Sequence, residues 1–161
     1  MNLDEGMEFA QALVEAHYPG RWQQLTMGEH RAVAVVGSAT VAVLTPKAGV
    51  QPEPFLSVIC GLATEFWLDE KAYELVNALN RESVFGSHHI EPGDGRRASV
   101  LARLLVPLEP VDWNHPASTQ WVGRMVHTLL MTAERTSPTL VAQLGARHFA
   151  PGAAQALWMM T

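Results

Sequence analysis

Residues 4–18, DEGMEFAQALVEAHY, place Phe9, Ala12, Leu13 and Ala16 at helical spacing, with acids in the first turn. A helix dipole favours negative charge there, and the Pro19-Gly20 step stops the pattern. The period then changes. In RAVAVVGSATVAVLTP two β-branched runs flank Gly37-Ser38, which predicts a hairpin. Pro46, Gly49, Pro52 and Pro54 predict the loop that follows. FLSVICGLATEFWLD is almost continuously apolar, as expected of a central strand covered on both faces, and Gly61 within it marks a bulge.

Helical period returns over residues 69–82, with Ala72, Leu75, Val76 and Leu79 on one face and Asp69 placed as N-cap. VFGSHHIEPGDGRRASVLARLLVP reads as strand, PGDG turn and strand. Pro116 suits the first position of a long helix through about Ser137, with Val122, Met125, Val126, Leu129 and Ala133 on its apolar face. Pro138 is expected to interrupt it, leaving TLVAQLGARHF as a further short helix. The expected fold is α+β, in the order α-β-β-β-α-β-β-α: an antiparallel sheet flanked by helices, with an extra C-terminal helical tail. Residues 1–137 form the domain, and 138–161 a tail packed on it or on a partner.

Composition narrows the function. Nearly half of the 161 residues are apolar and only 17% are charged, so a packed core is expected, burying roughly 70% of the unfolded surface. A net charge of −5, with Arg96-Arg97 beside Asp94 as the adjacent basic pair, argues against a nucleic-acid partner. No apolar run reaches the roughly 18 residues that span a bilayer, and the opening MNLDEGMEF is acidic, so no membrane association and a cytoplasmic location are expected. The single cysteine, Cys60, lies in an apolar run and reads as a core residue rather than a nucleophile.

The chemistry-bearing stretch is LNRESVFGSHHIEPGDGR, residues 79–96. On a strand, His88 and His89 point to opposite faces, while His89 and Glu91 share one. Two ligands fall short of the three or four that zinc takes, and neither Asp94, His115 nor His127 completes a known spacing. No metal, cofactor or catalytic set is therefore assigned. A small-molecule or metal-binding regulator or hydrolase built on His88, His89, Glu91 and Asp94, with help from His115, stands as the alternative function.

AYELVNALNRESVFGSHHIEPGDGRRASVLARLLVP resembles the YbjN-like group of bacterial proteins, related in fold to type III secretion chaperones. The resemblance rests on the Leu79-Asn80 step, the Pro92–Gly95 turn and the strand RASVLARLLV, with the flanking order of elements over residues 4–137. It implies a noncatalytic homodimer that holds a protein or peptide client, either by addition at a sheet edge or in a groove beside the long helix. The five tryptophans and seven methionines fit such a role, since both residue types serve as adaptable interface anchors. Trp113, Trp121, Met125, Trp158 and Met159 are the expected partner contacts.

Overall fold

The computed structural model describes residues 2–27, 30–37, 40–48, 54–108 and 115–150, together with Ala153 and Leu157. Among the described residues the chain is an α+β fold of three long helices on one six-stranded antiparallel sheet. Helix α1 (Leu3–His17) leads into strands β1 (Trp22–Met27), β2 (His30–Val36), β3 (Val41–Ala48) and β4 (Pro54–Trp67). Helix α2 (Glu70–Glu82) then precedes strands β5 (Ser87–Pro92) and β6 (Arg97–Pro107), and α3 (Pro116–Leu144) follows. Strand order is β1-β2-β3-β4-β6-β5, so β4 lies between β3 and β6 in the interior of the sheet.

Local chemistry fixes the helix starts. Asn2 and Glu5 form a reciprocal capping box on α1. Asp69 caps α2 by accepting the Ala72 N–H at 3.0 Å, as its position in the sequence predicts. Pro116 opens α3, and Gly145 closes it in the left-handed region at φ 59°.

Three sequence expectations are corrected. Strand β1 was not predicted: WQQLTM alternates weakly, as an edge strand with polar faces does. Pro46 and Pro54 lie in strands rather than in a loop. Pro46 faces Leu56 of β4, but the β2–β3 register runs only from Val33↔Leu44 to Val36↔Val41. On its other side Pro46 is therefore locally at an edge, where a missing N–H costs nothing. Finally, α3 does not break at Pro138. A proline inside a helix costs about 3 kcal/mol, but Pro138 is on the exposed side while the next turn buries Leu140. On the inner side, the buried Ser137 hydroxyl donates to the Leu62 carbonyl at 2.5 Å. Packing on both sides of the proline outweighs one lost backbone bond, and the boundary expected at 137/138 falls inside a continuous helix.

The bulge expected in β4 is present. Register shifts occur between Gly61 and Ala63 and again between Ala63 and Phe66, where Glu65 takes φ 58°. Arg97 braces this bend by donating to the Glu65 carbonyl at 2.5 Å.

Two cores result. On one face all three helices cover Val33, Val35, Ala42, Leu44, Leu56, Val58, Cys60, Leu62, Val100 and Ala102. On the other, Ala32, Ala34, Val41, Val43, Ile59 and Leu101 pack with Phe149 and Leu157 of the C-terminal segment. Phe149, Ala153 and Leu157 therefore pack on the sheet of their own chain. Burial pushes the Cys60 thiol up to about 12, consistent with a core residue. No helix among the described residues is long and apolar enough to cross a membrane.

Candidate functional site

The histidine stretch resolves first. The register pairs His88 with Ala102 and His89 with Leu101, which belong to the two different cores. The two rings thus lie on opposite faces, as strand alternation requires. His88 is buried on the helix side, 4% exposed, and both its ring nitrogens lack a hydrogen-bond partner. Burial, and then His89, lower its pKa. His89 places Nε2 3.3 Å from Glu91 Oε1. His115 caps α3, its Nδ1 accepting the Ala117 N–H at 3.2 Å. Asp94 heads the β5–β6 turn and lines a polar depression with Thr64, Glu65, Arg97 and Ser99. Among the described residues, no three His, Cys, Asp or Glu side chains are arranged to hold a metal ion.

Asn80 gives the stretch a different meaning. Its side-chain amide donates to the His88 carbonyl at 2.8 Å, and its oxygen accepts the His88 N–H at 2.6 Å. These two bonds copy a strand neighbour and occupy part of the outer edge of β5, one way of blunting an edge. The "LN" step is thus a structural clamp between α2 and β5.

His88 carries a pH prediction. Its folded pKa lies below its value near 6.5 in the unfolded chain, so the unfolded state binds more protons below that pH. Stability is fully present above about pH 6.5 and falls as the pH drops toward the folded pKa. His88→Leu is expected to flatten this acid limb in denaturant titrations between pH 7 and 5. An unchanged slope would assign the acid sensitivity elsewhere, with His17 and His89, both also lowered chiefly by burial, as the remaining sources.

An apolar concave feature lies between α1 and α3. Phe9, Ala12, Leu13, Ala16 and His17 form one wall, and Thr119, Gln120, Gly123 and Arg124 the other, around a volume of about 370 Å³. Its shape follows from small side chains. Ala12 and Ala16 stand one helical turn apart on the exposed flank of α1, and Gly123 presents no side chain at all. A Cβ built on Gly123 would lie 3.4 Å from His17 Nε2, so the imidazole closes the trough's floor. Behind it, His17 and His127 stack with centroids 4.9 Å apart. The lining is overwhelmingly apolar, with Arg124 at the rim.

The structure separates the expected partner contacts. Trp121 is exposed, and Met125, one turn on, is partly buried against the helix-side core. Helical geometry sets both on the flank of α3 away from Gly123 and Arg124. Neither lines the groove. Trp113, Trp158 and Met159 lie outside the described residues. The helical spacing of Ala12 and Ala16 with Phe9 and Leu13 is present, and both alanines are exposed at the groove. The signal that marks the groove is the pair of alanines four apart facing a glycine in another helix.

No protein-family model matches the chain, and no curated protein matches it.

Proposed function

We propose that this protein is a noncatalytic cytoplasmic homodimer that binds an apolar segment of a protein client, taken into the groove between α1 and α3. The observation that carries this reading is the groove: an open trough of about 370 Å³, apolar along its length and built on two rigid helices. Apolar walls with a polar rim are the pattern of a helix-in-groove site. The resemblance to YbjN-like proteins and secretion chaperones supports the same class of activity.

Ala16→Glu tests the reading. Ala16 is exposed, so the variant is expected to change stability by no more than about 0.5 kcal/mol. Amphipathic peptides selected from a display library on the wild-type protein are expected to bind Ala16→Glu at least tenfold more weakly. Equal affinity for both proteins would place binding elsewhere. Light scattering is expected to give twice 17.6 kDa; a mass of 17.6 kDa would remove the dimer from the proposal.

A further inference from the structure

The face of the sheet opposite the helices carries Ala32 and Ala34 of β2, Val41 and Val43 of β3, Ile59 of β4 and Leu101 of β6. Four strands thus contribute one continuous aliphatic surface. Among the described residues its covering partners are Phe149, Ala153 and Leu157, all from the segment after α3. The segment is aimed there at three points. Arg147 makes a two-bond antiparallel bridge to Thr64, at 2.8 and 2.9 Å, and its guanidinium lies 3.1 Å from Glu65. The Phe149 ring lies over Gly61, where an added Cβ would meet it at 2.6 Å. Leu157, eight residues further on, is completely buried among the strand side chains.

We infer that this sheet face is a docking surface for an apolar segment with an aromatic and a branched aliphatic anchor eight residues apart, and that the chain's own Arg147, Phe149, Ala153 and Leu157 hold it as a resident competitor. The seated segment supplies the chemistry of the occupant. Gly61 admits an aromatic ring against the backbone, and the Val41–Val43–Ile59–Leu101 patch admits a leucine-sized side chain. A tethered competitor acts at a high effective concentration, so an incoming segment binds weakly until the tether lets go. This inference rests on the reading of the protein as a segment-binding module, but uses the face opposite the α1–α3 groove.

The test uses the full chain and one probe, a fluorescein-labelled peptide with the sequence of residues 146–161. Leu157→Asp and the milder Leu157→Ala weaken the resident anchor, and both are expected to bind the probe at least tenfold more tightly than the wild type. Adding Gly61→Val to either is expected to abolish that gain, because the aromatic seat is filled. Folded Leu157 variants that bind the probe no better than wild type would overturn the inference. The unmodified protein supplies a second reading that does not depend on how the variants fold. Millimolar peptide is expected to accelerate hydrogen exchange at the Arg147 amide, which donates to Thr64; unchanged exchange would equally overturn it. Ala16→Glu is expected to leave the probe's binding unaltered, so failure of the groove and failure of this surface are separately visible.

Discussion

Phe66→Ala is expected to lower the stability of the protein by about 3–5 kcal/mol, the range for emptying a buried aromatic site. Among the described residues Phe66 is the largest fully buried side chain, 0% exposed. It stands just past the double register shift in β4, opposite Ala98 of β6, in the core shared with α2 and α3. The backbone around it is constrained on several sides. Arg97 holds the Glu65 carbonyl, Leu68 donates to the Arg96 carbonyl at 3.0 Å, and Thr64 is bridged to Arg147. A cavity at this point has little freedom to collapse, which puts the cost toward the upper end of the range. Domains of this kind are stable by about 5–15 kcal/mol, so the variant loses a large share of the total. Urea titration of the two proteins reads the difference directly. A loss below about 1 kcal/mol would mean that the bend is soft and the core refills.

Asn80→Leu is expected to cost about 2 kcal/mol, although the residue is polar and exposed. The substitution roughly conserves volume but leaves the His88 N–H and C=O without the two bonds they now make. An unpaired buried backbone group costs about 1–3 kcal/mol, and partial access to water moderates that figure. Hydrogen exchange at the His88 amide should accelerate well beyond that of neighbouring β6. Should the amide remain protected in the variant, the clamp would not be what holds β5. The comparison with His88→Leu is informative, because that change removes a ring with two unpartnered nitrogens and keeps both backbone bonds. One residue of the stretch contributes through hydrogen bonds, the other through the pH dependence of its burial.

Most elements were legible in the sequence because periodicity reports burial, and burial builds the elements. The Asp69 cap, the β2–β3 hairpin closing at Val36↔Val41, the bulge after Gly61 and the split of His88 from His89 all follow from local rules. The failures have local rules overridden by tertiary packing. Pro138 stays helical because Ser137 and Leu140 are held from the inner side. Pro46 stays in a strand because β2 does not reach it, and a Cβ on Gly6 would lie 2.9 Å from its Cβ, so α1 presses on it closely. Strand β1 carries little signal since an edge strand buries little. The groove was illegible for a different reason. It is made by side chains that are missing, at Ala12, Ala16 and Gly123, and only the juxtaposition of α1 with α3 turns those gaps into one space. Of the residues expected as partner contacts, Trp121 and Met125 lie off the groove.

The most direct measurement of segment binding is site-specific photo-crosslinking of the full chain in its native cells, with the photoreactive residue at Ala12 in the groove or at exposed Tyr73 on α2. The account predicts a discrete crosslinked product from Ala12 that Ala16→Glu abolishes, and none from Tyr73. No product from Ala12, or the same product from both positions, would contradict it.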